Sequence, residues 1–182
     1  MKSPSSGSTT WNLTPLFSSD GDHKMDEERK AVTEKSYAFV KKWKTRDDYL
    51  KDPTILKEAL DEYESWQNSY GSDGAEGYYF SLRTAQDQND PQLKAKLNKI
   101  HDFGVKIHND IQFFELRVAR IPPELQKSFL EYEGLKLYCH FLKRSFAWAQ
   151  YLLSEPEEKI INLKAAPAHA NWVRMTSGFL AK

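Results

Sequence analysis

Five histidines are the residues in this chain best suited to binding a metal ion, and their sequence context argues against a metal site. They are His23, His101, His108, His140 and His169. None is followed by glutamate, so the zinc-binding helix H-E-x-x-H is not present. His101 and His108 lie seven residues apart, which is two helical turns, whereas ligands of one metal ion on a helix are normally one turn apart. We expect surface or boundary positions for both and predict no metal ligand.

Two further groups could act as acid, base or nucleophile. Glu131, Glu133 and His140 combine carboxylates with an imidazole, but carboxylates alternating along a helix usually form a solvated face. Cys139 would need a nearby base to act as a nucleophile. Neighbours on a helix point about 100° apart, so His140 does not supply that base by adjacency. We expect Cys139 to be a small buried apolar residue, and we predict no catalytic or cofactor-binding residue.

Aromatic residues offer a different possibility, a wall against which a peptide could bind. The candidates are Trp43, Trp66, Tyr78, Tyr79 and Trp148. At helical spacing, however, aromatic side chains more often belong to a hydrophobic core, and we prefer that interpretation.

Composition narrows the functional class. The 182 residues include 26 Lys and Arg and 26 Asp and Glu, so the formal net charge is zero and a nucleic-acid partner is not expected. Hydrophobic residues make up 40% and aromatics 13%, which favours a folded chain. One cysteine excludes an internal disulfide. The Ser-rich residues 1–10 lack the apolar stretch of a secretory signal, and no run suits a membrane span, so the cytoplasm is the predicted location.

Periodic apolar residues and helix-start signals predict an all-α fold. Asp52-Pro53 and Asn89-Asp90-Pro91 are typical helix starts, and Ser154 with Glu157 forms a capping-box pattern. In the first half of the chain, helices are expected at about 24–45, from 53 to a loop at 70–74, and at 78–86, where an aromatic strand is the alternative. In the second half, they are expected at 91–121, from Pro122-Pro123 to about 132, at about 135–152, from 155 to about 164–167, and around Trp172. Seven or eight helices joined by short links are typical of an elongated antiparallel bundle.

The predicted helix 91–121 carries a heptad seam. Its members are Leu93, Leu97, Ile100, Gly104, Ile107, Ile111, Phe114, Val118 and Ile121. At 1.5 Å per residue this helix would be about 45 Å long, as long as a compact domain of this size is wide. We expect either a bend of the helix at Gly104 or an elongated segment that packs against a larger structure.

Two stretches of the chain resemble oligoendopeptidase F-type zinc metallopeptidases. Residues 11–17 have the sequence W-N-L-T-P-L-F, similar to the W-x-L-[ST]-x-L-[FY] opening of that family. Residues 153–161, L-S-E-P-E-E-K-I-I, with Asn171-Trp172 further on, resemble the L-S-x-x-x-E-x-I-[IL] helix and the tryptophan that precede the catalytic domain. Their order and separation make the resemblance more specific than either stretch alone.

The resemblance implies a flexible leader at 1–10, a helical N-terminal lobe at 11–178 and the truncated start of a next segment at 179–182. Such a lobe would form one wall of a substrate channel for short oligopeptides, without catalysis of its own. Zinc would lie in a catalytic lobe absent from this chain, and that lobe and peptides would be its partners. The alternative is a stand-alone helical interaction module, zipped into a dimer along the 93–121 seam. An enzyme using Glu and His without a cofactor ranks last.

Overall fold

The computed structural model describes residues 10–70 and 74–180, and every regular element within them is helical. The α-helices are α1 (Lys24–Trp43), α2 (Pro53–Tyr70), α3 (Gly74–Gln86), α4 (Pro91–Ile111), α5 (Phe113–Ala119), α6 (Pro123–Glu131), α7 (Cys139–Trp148), α8 (Glu155–Ala165) and α9 (Asn171–Leu180). Short 3-10 helices at Asp48–Leu50, Glu133–Tyr138 and Ala149–Tyr151 and a π-helical turn at Ala166–Ala170 lie between them. The predicted all-α class is confirmed.

Some predicted boundaries fall where nothing is described. Residues 1–9 of the predicted leader and 71–73 of the predicted loop lie outside the described residues, as do the last two residues of 179–182. α3 begins at Gly74, four residues before the predicted start, and no strand forms there. Gly74 has φ of 68°, a left-handed conformation that a residue without Cβ adopts readily.

None of the described helices is both long enough and apolar enough to cross a lipid bilayer.

Predicted helix caps explain where several helices begin. The Asp52 carboxylate accepts the backbone N–H of Thr54 at 2.7 Å. The Asp90 carboxylate accepts two N–H groups of the first turn of α4, at 2.7 and 3.2 Å. Glu157 reaches back to the N–H of Ser154 at 2.9 Å, as a capping box requires. Each contact satisfies backbone donors that have no partner inside the helix.

An aromatic cluster fills the main core between α1, α2 and α5. The Phe114 ring is fully buried, and its centroid lies 5.0 Å from that of Tyr63, 5.3 Å from that of Phe39 and 5.5 Å from that of Tyr49. Trp43, also fully buried, lies edge-on to Tyr49 at 5.7 Å. Offset and edge-on contacts are the geometries that aromatic rings favour. Phe114 therefore joins three separate elements of the fold.

A second, smaller core attaches the segment before α1 to the rest of the chain. Phe17 is buried and its ring meets that of Tyr79 edge-on at 5.5 Å. Leu13 and Leu16 pack beside it, and a tight turn joins them, with the Leu16 N–H donating to the Leu13 carbonyl at 2.9 Å. The N-terminal resemblance motif is thus an anchor that packs on α3 and α4.

Two aspartates hold this N-terminal anchor in place. Asp20 accepts two hydrogen bonds from the Arg83 guanidinium, at 2.8 and 3.0 Å, and one from the Tyr79 hydroxyl at 2.8 Å. Arg83 keeps the pKa of Asp20 below its usual range. Asp22 accepts from the N–H groups of Ser18 at 2.8 Å and Lys24 at 3.0 Å, and these bonds lower its pKa to about 2.

Replacing Asp20 with asparagine is expected to lower the free energy of unfolding by about 1–2 kcal/mol, because a charge-assisted contact is lost. A depressed pKa stabilises the folded state above the unfolded value near 4, and the gain is lost as pH falls further. The difference between wild type and variant in urea unfolding should therefore shrink from pH 6 to pH 3. Asp26→Asn, on the exposed surface, should change stability by less than about 0.5 kcal/mol. An equally large loss for Asp26→Asn, or a difference that is constant with pH, would contradict this assignment.

The predicted helix 91–121 is wrong as a single element. It is divided at Gln112 into α4 and α5, whereas Gly104 lies buried inside an unbroken α4. The seam itself is buried in the chain's own core, from Leu93 at 3% exposed to Ile121 at 1%. A dimer zipped along the seam would have to open that core, which argues against the coiled-coil alternative.

Candidate functional site

The histidines predicted to be unsuited to metal binding lie on separate parts of the fold. His101 is half-buried and His108 exposed, both on α4, and His140 is exposed at the start of α7. Among residues 10–70 and 74–180, no three His, Cys, Asp or Glu side chains are grouped so that they could hold a metal ion. The described side chains therefore offer no grouping that fits zinc, which the resemblance implies in a catalytic lobe outside this chain. Whether the chain lacks metal ligands altogether remains a prediction.

The carboxylates of the possible acid–base set are engaged locally. Glu131 pairs with Lys127 at 3.7 Å and Glu133 with Lys136 at 3.0 Å, and all four side chains are well exposed. This is the solvated arrangement expected from the sequence. Cys139 is a free, half-buried thiol in the first turn of α7, so the prediction that it is buried holds only in part.

The five aromatic candidates divide into two groups. Trp43, Trp66 and Tyr79 are core residues, as predicted, with at most 5% of their surface exposed. Tyr78 and Trp148 are each 58% exposed, so the preference for a core position is wrong for these two. Helical spacing of large apolar residues does not reveal which face of a short helix finds a partner.

The last two helices carry a continuous set of exposed apolar side chains. We call this the α8–α9 apolar face, and it consists of Ile160, Ile161, Leu163, Trp172, Val173, Met175, Phe179 and Leu180. Each of them is at least 44% exposed. By contrast, no apolar side chain described after Leu142 is buried. Contiguous apolar surface of this kind marks an interaction site in folded proteins.

A polar contact fixes α8 against the body of the protein. The Asn162 amide donates to the side-chain oxygens of Asn109 at 3.0 Å and Gln112 at 2.7 Å. Asn109 and Gln112 are 8% and 6% exposed. Arg120 also donates to the carbonyl of Leu153, just before α8. α8 is thus held by hydrogen bonds, while the apolar residues of α8 and α9 stay exposed.

A groove lies next to this region, between α5 and α7. Its volume is about 460 Å³, and it is lined by Glu115, Leu116, Ala119, His140, Phe141, Arg144, Ser145, Trp148 and Leu152. We call it the Trp148 groove. Leu116 and Ala119 are buried apolar residues, Trp148 and Arg144 are exposed, and Ser145 is half-buried with its hydroxyl donating to the Phe141 carbonyl at 2.9 Å. The groove therefore combines apolar walls with one guanidinium.

Sequence reasoning gave no role to Arg144 or Asn162, and it used Ile160, Ile161 and Trp172 of the α8–α9 apolar face only as part of the family resemblance. A usable signal exists for that face, since α9 has the sequence N-W-V-R-M-T-S-G-F-L, with large apolar residues at positions 172, 175 and 179. That spacing places them on one side of a helix. Nothing local reveals that no other part of this chain covers them.

Comparison with known proteins gives a consistent result. Residues 118–181 match the protein-family model described as Oligopeptidase F. A Lactococcus lactis subsp. cremoris protein named "Oligoendopeptidase F, plasmid" and an "Oligoendopeptidase F homolog" of Lactococcus lactis subsp. lactis strain IL1403 are each 25% identical to this chain over 158 residues. The alignment covers 84% of this chain and 24% of each relative, so the chain spans about a quarter of their length. No solved structure matches significantly.

Proposed function

From the premise that this chain carries the N-terminal segment of the oligopeptidase F family, we propose that it is the helical N-terminal lobe of a peptidase. In this role it shapes a channel for short peptides and leaves hydrolysis to the remainder of the enzyme. The chemistry of that remainder, zinc included, is an expectation from the resemblance, and so is a cytoplasmic location. No residue described here is assigned a catalytic role.

One observation carries the proposal, namely the α8–α9 apolar face. It lies within the segment that matches the family, and it is built from residues that a stable helix would normally bury. Obligate interfaces resemble a hydrophobic core cut in half, and this face has that character. The proposed occupant is the remaining polypeptide of the same enzyme, since the matched relatives are about four times as long as the aligned segment.

The seam of α4 and α5 does not offer an equivalent surface. Its members are buried against the other helices of this chain. The seam therefore gives a stand-alone dimer no exposed apolar surface, and we take the α8–α9 apolar face, which lies in the segment that matches the family, as a contact within the enzyme. We keep the lobe as the single candidate function.

The test begins with the reading frame beyond Lys182. A frame that encodes a downstream H-E-x-x-H supports the proposal, and a stop codon directly after Lys182 contradicts it. The 182-residue chain alone should not hydrolyse peptides, and the downstream polypeptide should bind it. Peptide hydrolysis by the purified chain with stoichiometric zinc would also refute the lobe assignment.

Substitutions within the face should weaken that binding. Trp172 and Phe179 are seven residues apart on α9 and 63% and 67% exposed. Changing both to glutamate places two charges in an apolar contact, so we expect association with the downstream polypeptide to weaken by about 100-fold or more. Leu137→Glu, at a 93% exposed site outside the face, is the matched control and should bind like wild type. Equal binding by the double variant would rule out this face as the contact.

A further inference from the structure

We propose that the Trp148 groove binds the carboxyl-terminal residue of a short peptide. Arg144 binds the α-carboxylate, and the apolar walls with Trp148 receive the side chain. The assignment rests on the proposed function for one point only, that short peptides are present at this lobe. The geometry and charge of the groove supply the rest.

The groove has the size and lining of a small-ligand site. Its volume of about 460 Å³ lies within the range that such sites occupy. Leu116 and Ala119 from α5 and Phe141 from α7 give it apolar walls, and Trp148 contributes a large exposed ring. An apolar side chain can be removed from water there, while the open side leaves room for the rest of a peptide.

The charge in the groove favours a carboxylate. α7 has the sequence C-H-F-L-K-R-S-F-A-W, with two cations and no acidic residue. Arg144 forms no ion pair with any residue that the structure describes. By contrast, Arg29, Arg46 and Arg83 pair with carboxylates, and Arg117 and Arg120 donate to carbonyl groups. Glu115 is the one carboxylate lining the groove, and it already accepts the Tyr63 hydroxyl at 2.7 Å. His140 is the other titratable group of the lining.

The spacing of the two key side chains points to a terminal residue. Arg144 and Trp148 are four positions apart on α7, so their Cβ atoms lie about 5–6 Å apart on one face of the helix. A carboxyl-terminal residue carries a carboxylate and a side chain on the same Cα, and it can reach both groups at once. A guanidinium can also hold both oxygens of a carboxylate in a bidentate pair.

Calorimetric titration of the 182-residue chain with two peptides tests this assignment. The probes are N-acetyl-Ala-Ala-Phe as the free acid and as the carboxamide. The free acid should bind about tenfold more tightly, the increment of a charge-assisted contact. Arg144→Gln should bring the ratio of the two affinities close to one, and Trp148→Ala should weaken both peptides. Lys143→Gln, the neighbouring cation outside the groove, should leave the ratio unchanged.

Equal affinity of the acid and the amide for wild type would overturn the proposal, and so would an acid preference that survives Arg144→Gln. No binding of either peptide at millimolar concentration would overturn it as well. Because these titrations use the chain alone, their failure is separate from failure of the lobe assignment, which is measured by association through Trp172 and Phe179. Circular dichroism of each variant shows whether its helices are intact.

Discussion

Phe114→Ala is expected to lower the free energy of unfolding by about 3–5 kcal/mol, the largest effect of any single change considered for this fold. Truncating a buried phenylalanine removes its transfer free energy and leaves a cavity. At this position the loss is at the upper end because Phe114 contacts rings from three elements, namely Phe39, Tyr49 and Tyr63. Thermal and urea unfolding followed by circular dichroism would measure it.

The same substitution at Phe179 is the matched control. Phe179 is 67% exposed on α9, so its truncation should change the stability of the isolated chain by less than about 0.5 kcal/mol. A large loss at Phe179 would mean that the α8–α9 apolar face is covered within this chain, and the proposed interface would then be wrong. A small loss at Phe114 would contradict the described core.

Asn162→Leu should release α8 and α9 from the body while the rest of the fold stays intact. The substitution removes the donor shared by Asn109 and Gln112, leaving two buried acceptors without it. Each buried group that loses its partner costs about 1–3 kcal/mol. Because no described apolar side chain after Leu142 is buried, apolar burial contributes little to holding the two helices. We expect local opening to become easier by about 2–4 kcal/mol.

Hydrogen exchange followed by mass spectrometry measures this release directly. Amides of α8 and α9 should exchange at least about 30-fold faster in Asn162→Leu, while those of α1 and α2 keep their wild-type rates. Asn68→Leu makes the same chemical change at an exposed position on α2 and should alter neither region. Faster exchange throughout the chain would show that Asn162 supports the whole fold instead.

Helix positions could be predicted where the determinants are local. The starts of α2, α4 and α8 follow from local side chains that accept backbone N–H groups there, at Asp52, Asp90 and Glu157. The buried residues of α1 and α2 follow from 3.6-residue periodicity, and Trp43 and Leu56 occupy the core as that pattern requires. These features depend on short segments, so they can be predicted from the local sequence.

The remaining features depend on contacts distant in sequence. The division at Gln112 coincides with a hydrogen bond to Asn162, 50 residues later, and local periodicity cannot register such a contact. Gly104 was the natural place to expect a bend, since glycine weakens helices, yet α4 continues through it. The exposure of Trp148 depends on which surfaces find a partner, and helical spacing alone predicts a core position for it.

The π-helical turn at Ala166–Ala170 has a geometric effect on whatever covers the final two helices. A π-type turn absorbs one residue beyond the α-helical count, so the residues after it lie about 100° away from the azimuth that uninterrupted α-helical spacing would give them. Without the turn, Trp172 and Phe179 would be rotated by about 100–120° from Ile160, and with it both lie within about 20° of Ile160. The turn therefore brings the apolar residues of α8 and α9 onto one side, where a single continuous surface can cover them.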